Sequence, residues 1–332
     1  MKRFLLFMVG LILTVAILWW ADFGKIYRNI LSFDYVLVIE ACLLQVITII
    51  LLNIQWYTIS IQMGEKIPFK RILNINMAGT FTESITPSVK AGGELAKIIM
   101  LKNEIGLSGS KATAIVGVQK VVSFISFLAL NLISIFWFLT TTNIDKPYIT
   151  RIIIISFIAL ILIFGFIIII MVYPNIINFL LKIISMKDER KQKVSENISK
   201  FSNSFRSAIK DKKLLISQLL LSLVIWEFFA IKAYFIAKGL NLDIGFISIS
   251  VITYLTYMVG MLPLLPGGAG TFEGSMMLFL IPLGVSSDKG MSLAIVFRFV
   301  TFWFVFITSA LYLGIRYIYN IIKKVKYTKY ST

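Results

Sequence analysis

The sequence predicts an all-α, polytopic membrane protein: about six full spans plus two broken or re-entrant helical hairpins, arranged as inverted repeats. Three observations carry this. The 332 residues are 58% hydrophobic, against about 45–50% in a soluble domain, and the mean hydropathy is +0.88. Apolar stretches recur at 4–20, 35–54, 121–139, 152–172, 214–237 and 293–319, and roughly 20 apolar residues cross a bilayer core as a helix. None alternates apolar and polar residues as a barrel strand does, so helices are what satisfies the backbone in lipid.

Taken in order, Met1-Lys2-Arg3 followed by an apolar run resembles a signal peptide. The run exceeds a typical h-region, and Trp19-Trp20-Ala21-Asp22-Phe23 is a poor cleavage site, so 4–20 is read as a retained first span. Lys2 and Arg3 place the N-terminus in the cytoplasm, and the 21–34 loop lies outside. Residues 35–63 return to a basic stretch holding Lys66, Lys70 and Arg71. Residues 112–139 exit, 151–173 re-enter, 214–237 exit, and 292–319 run inward to a basic tail with Lys323, Lys324, Lys326 and Lys329. The N- and C-termini are therefore expected in the cytoplasm of a cell (plasma or inner) membrane protein.

Two segments do not fit that alternation. Residues 74–101 start and end inside, yet are too apolar for a loop and are interrupted by Pro87 and Ala91-Gly92-Gly93. Residues 246–283 start and end outside and are broken by Pro263, Pro266, Gly267, Gly268 and Gly270. Each reads as a re-entrant hairpin or a pair of short crossings, the alternative being spans merely kinked by Pro and Gly. Hairpins entering from opposite sides are the signature of inverted repeats whose broken helices meet at a substrate site. The expected organisation is one integral domain over 1–332. A first half, 4–181, holds hairpin 74–101, and a basic cytoplasmic loop, 182–213, serves as linker. A second half, 214–319, holds hairpin 246–283, and a basic tail covers 320–332.

A net charge of +17 invites a nucleic-acid reading. The basic residues instead sit in short stretches between spans, as the positive-inside rule requires, and no base-reading architecture accompanies them. No nucleic-acid partner is expected; anionic lipid headgroups are the natural company of such stretches. The one cysteine, Cys42, excludes an intramolecular disulfide and reads as a small apolar filler. With no histidine at all, His-based triads, most zinc sites and the commonest general base are absent. No metal or cofactor is expected.

The chemistry-bearing residues lie at the breaks. Glu94 follows Gly92-Gly93 at the start of a helix, where the dipole favours a carboxylate and glycines permit close approach. Lys97 brings a cation suited to an anionic headgroup, with snorkelling as its bland explanation. In the second break, Pro266-Gly267-Gly268-Ala269-Gly270-Thr271-Phe272-Glu273 repeats the logic: proline, glycine pair, then an acid opening an apolar helix. Arg298 lies inside the last apolar span, where it needs a carboxylate, backbone carbonyls or a lipid phosphate. An ion pair with Glu273 or Glu94 and direct phosphate contact are both open. Lys120 is expected near the inner end of its span, facing the first hairpin. Glu83 and Thr86 just before the bend are weaker candidates, and Glu40, Glu227 and Lys232 are read as near-interfacial.

These residues carry a resemblance. The pattern Pro-x(4)-Gly-Gly-Glu-Leu-Ala-Lys from Pro87, the run Leu-Pro-x-x-Pro-Gly-Gly-x-Gly-x-x-Glu-Gly from Leu262, and Phe297-Arg298-Phe299 resemble the flippase-like family. That family is the transmembrane region of lysylphosphatidylglycerol synthases and its stand-alone prokaryotic relatives. The resemblance implies a multi-span fold that moves a lipid or a lipid-linked sugar between leaflets. It also implies roles at Gly93, Glu94, Pro266, Gly267, Gly268, Gly270, Glu273 and Arg298. Many members carry a Glu-Arg pair followed three residues later by Asp; here the stretch reads Gln119-Lys120-Val121-Val122-Ser123, which keeps one cation and neither acid. The soluble aminoacyl-transfer domain of the synthases is not expected.

The expected substrate-binding set is thus Pro87, Gly92, Gly93, Glu94, Lys97, Lys120, Pro266, Gly267, Gly268, Gly270, Glu273 and Arg298, with no catalytic residue. The function read from the sequence is a lipid translocase, not an enzyme, whose partners are anionic or sugar-linked membrane lipids. The chain shows no Gly-x(4)-Gly-Lys-Ser/Thr nucleotide loop, so transport is expected to be downhill or ion-coupled. The alternatives are a secondary transporter of a soluble solute and a carboxylate-based membrane enzyme of lipid or glycan metabolism.

Overall fold

The computed structural model describes residues 22–86, 91–142, 147–173, 188–262 and 268–329, and among these it contains helices and turns but no strand. The first expected span at 4–20, and Pro87, Pro263, Pro266 and Gly267, lie outside the described residues. A short α1 (Phe23–Leu31) precedes the long α2 (Tyr35–Gln62), whose start is fixed by Asp34 accepting the Val36 N–H at 3.0 Å. The first hairpin is α3 (Phe69–Ile85) and α4 (Ala91–Asn103). Then come α5 (Gly109–Thr141), α6 (Pro147–Val172), α7 (Asp188–Lys210) and α8 (Lys212–Gly239). The second hairpin is α9 (Phe246–Gly260) and α10 (Thr271–Leu280), extended by a 3-10 turn (Ile281–Leu283). The chain closes with α11 (Ser287–Arg298), a π turn (Phe299–Trp303) and α12 (Phe304–Lys329).

Among the described residues, five stretches are long and apolar enough to cross a membrane: Tyr35–Gln62, Gly109–Thr141, Pro147–Ile169, Lys212–Gly239 and Ser287–Lys323. They coincide with the five spans expected after residue 21. The protein is a multi-pass, all-α membrane protein. Its outer surface is apolar, with Ile39, Leu43, Ile155, Leu162 and Phe166 exposed, the arrangement that lipid rather than water favours. Many polar side chains, among them Gln45, Asn53, Gln55, Asn76 and Gln119, are buried inside.

The helix packing repeats. In the first half α2 packs on α3, α3 on α4, α4 on α5 and α2 on α5. In the second, α8 packs on α9, α9 on α10, α10 on α11 and α8 on α11. The two halves are also swapped into each other: α3 packs on α12, and α9 on α5. Exchanging α2 with α8, α3 with α9, α4 with α10 and α5 with α11–α12 therefore maps these pairs onto one another, with α2 and α8 meeting at the centre. Phe81 stacks on Phe306 with ring centroids 5.6 Å apart, and the Tyr312 hydroxyl donates to Asn74, which together seal α3 to α12.

The glycines of the first break serve this packing. A Cβ on Gly93 would stand 2.6 Å from the Gly79 carbonyl oxygen and 2.8 Å from Glu83 Cβ, and one on Gly92 would strike Thr86. Both glycines let α4 lie directly on α3. Gly93→Ala is therefore expected to cost about 1–3 kcal/mol, as overpacking does, and to lower the thermal midpoint in detergent. Gly165→Ala, with nothing within 4 Å of the added methyl, should leave it unchanged or slightly raised.

The stretch 182–213, read as a basic loop, holds helix α7. Phe205 and Ala208 bury one face of it beside α5, and Phe201 stacks on Phe205 at 5.8 Å. The dense Lys and Arg content of α7 hid that narrow apolar face, since charge dominates the segment's composition.

Candidate functional site

A cavity of about 310 Å³ lies at the centre of the fold, and every member of both repeats contributes to it. From the first half come Gln45, Asn53 and Trp56 on α2, Asn76 and Glu83 on α3, Lys97 on α4, and Gln119 and Lys120 on α5. From the second come Trp226 and Phe229 on α8, Tyr257 on α9, Phe272 on α10, and Arg298, Thr301 and Phe302 beside them. The α2 residues recur at helical spacing, so one polar stripe of an otherwise apolar span faces inward.

The first charge cluster is built on Glu94, in the opening turn of α4. Its Oε1 accepts from Lys97 Nζ at 3.0 Å and from Lys120 Nζ at 2.7 Å. Lys97 is one turn further along the same helix; Lys120 reaches across from α5, which packs on α4. Gly79 makes room for Lys97, because a Cβ there would collide with its stem. The Lys97 ammonium ends 4.9 Å from the centre of the Trp56 ring. Lys120, the one charge in the stretch Gln119–Ser123, thus has its acid supplied by the hairpin rather than by a neighbour in sequence.

The second cluster is built on Glu273. Gly268 and Gly270 take positive φ of 67° and 78°, which only glycine adopts freely, and the chain turns there into α10. Glu273 Oε2 then accepts the Gly270 N–H at 2.8 Å, tying the helix start to its first turn. Glu273 Oε1 accepts from Arg298 Nε at 3.1 Å. The guanidinium sits between two rings, 5.3 Å from Phe272 and 5.2 Å from Phe302, the stacked arrangement that suits arginine. Of the two carboxylate partners open to Arg298, the structure uses Glu273.

Of the expected site residues, Lys97, Lys120 and Arg298 reach the cavity wall, with Glu94 and Glu273 paired to them. Gly92, Gly93, Gly268 and Gly270 shape the hairpins instead: the first pair by close packing, the second by the turn. Pro87, Pro266 and Gly267 lie outside the described residues. Sequence reasoning missed Gln45, Asn53, Asn76 and Gln119; the signal available was amides at helical spacing within apolar spans.

Lys232, expected near an interface, is wholly buried against its neighbours in the last third of α8. Its ammonium donates to Gln45 Oε1 and to Thr48 Oγ1 at 3.1 Å, and lies 4.0 Å from the Phe229 ring centre. Lys232→Met removes the buried amine at similar volume but leaves Gln45 Oε1 without its donor. Gln45→Leu keeps the amine and strips an acceptor. Each should cost about 1–3 kcal/mol, and the double variant should recover most of that loss. Thermal midpoints of the three variants in detergent check the coupling.

The sequence is similar to known proteins over nearly its whole length. The family model of the lysylphosphatidylglycerol synthase TM region matches residues 7–309, which includes both hairpins and Arg298. A UPF0104 membrane protein of Pyrococcus horikoshii is 24% identical over 314 residues, covering 91% of this chain and 94% of that relative. A UPF0104 membrane protein of Methanothermobacter thermautotrophicus is 25% identical over 316 residues, covering 92% of each. One of Methanocaldococcus jannaschii is 24% identical over 307 residues, covering 91% of each. With both broken hairpins, their paired charges and nearly the whole chain inside the match, this protein belongs to the family of the lysylphosphatidylglycerol synthase transmembrane region.

Proposed function

We propose that the protein is a lipid translocase that moves an anionic phospholipid or a lipid-linked sugar between leaflets, without a covalent intermediate. The observation that carries the reading is the central cavity, set between two broken hairpins, whose wall among the described residues holds Lys97, Lys120 and Arg298 against one lining acid, Glu83. Charges at this depth are costly unless they meet a partner, water or a headgroup. The carboxylates Glu94 and Glu273 keep the cations in place, and a phosphate entering the cavity shares them. The short arms favour re-entrant hairpins: α4 has 13 residues and α10 has 10, where a crossing takes roughly 20. The family's name, that of synthases of a phospholipid, favours a lipid over a soluble solute. Basic segments at Lys66–Arg71, in α7 and at the end of α12 favour a plasma-membrane protein with both termini in the cytoplasm.

The test is leaflet exchange in liposomes holding the purified protein, with labelled anionic phospholipid and polyprenyl-phosphate sugar in separate arms and an aqueous solute in a third. Exchange of a lipid above protein-free vesicles is the expected result. Movement of the solute with no lipid exchange would replace the reading with solute transport.

A further inference from the structure

One carboxylate on the cavity wall has no cation of its own. Glu94 holds Lys97 and Lys120, and Glu273 holds Arg298. Glu83, near the end of α3, lines the cavity, and among the described residues its carboxylate makes no ion pair. The first break gives it its place. Glu83 Oε2 stands 3.3 Å from where a Cβ on Gly93 would be, so the bare glycine leaves room for the carboxylate beside the start of α4. There it lies within electrostatic reach of the Lys120 ammonium, which Glu94 already binds at 2.7 Å. The other elements packed on α3 bring no charge to it: α2 puts Gln45, Asn53 and Trp56 on the wall, and α12 puts Val305 there and stacks Phe306 on Phe81. Arg298 belongs to the second half's share of the wall, and Lys232 meets Gln45 without lining the cavity.

Among the described residues the charges of the wall and their pairs balance: Lys97, Lys120 and Arg298 against Glu83, Glu94 and Glu273. At this depth an uncompensated charge is costly, and an entering phosphate diester adds one negative charge. At Lys97 and Lys120 it meets Glu83, a like charge on the same wall. Two like charges brought together in such a site are relieved when one of them takes a proton. A proton on Glu94 or Glu273 would strand a cation, whereas Glu83 accepts one without breaking an ion pair. Linkage makes the effect mutual: a proton on Glu83 removes the repulsion and tightens anion binding by the same factor. We propose that Glu83 couples transport to protons, its carboxylate taking up one proton with each lipid phosphate and releasing it with the lipid on the far side. Anion and proton cross together as an electroneutral pair, so a pH difference across the membrane drives the lipid. This rests on the translocase reading for the anion's being a lipid.

The first measurement is proton uptake on binding, with the purified full chain in weakly buffered detergent and a pH indicator. The probes are phosphatidylglycerol and a short-chain polyprenyl-phosphate hexose, both singly charged diesters. Wild type should take up as much as one proton per lipid bound, and its affinity should rise as the pH falls, by up to about tenfold per pH unit. Glu83→Gln, close in shape, should bind with no uptake and no pH slope, while Glu83→Asp should keep both. Should the Gln variant fail to fold, the wild-type proton count and the Asp variant still carry the test. In liposomes, a pH difference of about one unit should gather labelled phosphatidylglycerol in the leaflet on the alkaline side, up to about tenfold over protein-free vesicles in the same time. Glu83→Gln should lose that gathering. Failure of both probes to bind, binding without proton uptake in wild type, or uptake that persists in Glu83→Gln would overturn the proposal. Uptake without leaflet exchange removes the translocase and leaves the proton linkage at Glu83 standing. Exchange with neither uptake nor pH slope does the reverse.

Discussion

Glu94→Gln is expected to reduce lipid exchange about 100-fold or more while also lowering the thermal midpoint. One carboxylate oxygen holds two ammonium groups, at 3.0 and 2.7 Å. The Lys97 side chain is only 9% exposed, so neutralising Glu94 strands a buried cation. Removing one partner of a buried pair costs about 3–5 kcal/mol, and each 1.36 kcal/mol is about tenfold in a rate or equilibrium. Lys120 is 38% exposed on the cavity side and loses less. The causes can therefore be separated. Adding Lys97→Met to Glu94→Gln should restore most of the midpoint, because it removes the stranded charge, yet leave exchange low, because a cavity cation is gone. A single variant with wild-type exchange would show that Glu94 has no part in transport.

The second large effect is expected at Arg298. Arg298→Lys keeps the charge but gives up the planar group held between Phe272 and Phe302 and the Nε donor to Glu273. Exchange should fall about tenfold. Arg298→Gln removes the charge and leaves Glu273 to the Gly270 N–H alone, and a loss of about 100-fold is expected, from the same buried-pair cost. Glu273→Gln should be milder than Arg298→Gln. Its amide keeps one acceptor oxygen for either Arg298 or Gly270, but its NH2 cannot accept from the other. Measuring exchange across the three variants in one lipid mixture gives the order Arg298→Gln, then Glu273→Gln and Arg298→Lys. An Arg298→Gln variant that exchanges lipid normally would reduce the second cluster to a hairpin clasp.

Much of the architecture was legible in the chain. The five described spans, the two breaks and the association of Lys120 with the first hairpin follow from apolar length, from Pro and Gly placement, and from the side on which basic residues collect. These are local or one-dimensional properties, and the lipid solvent enforces them without regard to what packs on what. Helix α7 escaped because its apolar face is narrow and its composition basic. Lys232 escaped because a lone lysine in an apolar helix is read by its cost in lipid, whereas its neighbours Gln45 and Thr48 come from α2, far away in sequence.

The site divides along the same line. Which charges stand at helix breaks can be read from the chain alone, because a glycine turn followed by a first-turn acid is a local device, as Gly270 and Glu273 display. Their partners depend on how the helices pack. Arg298 meets Glu273 and not Glu94, and Lys97 and Lys120 share one oxygen, because α10 packs on α11 in one half and α4 on α5 in the other. Likewise the amides of α2, α3 and α5 become one cavity wall only when those helices are set side by side. Hydrogen bonds and ion pairs act over about 3 Å, a range at which chain distance carries no information and three-dimensional packing carries all of it.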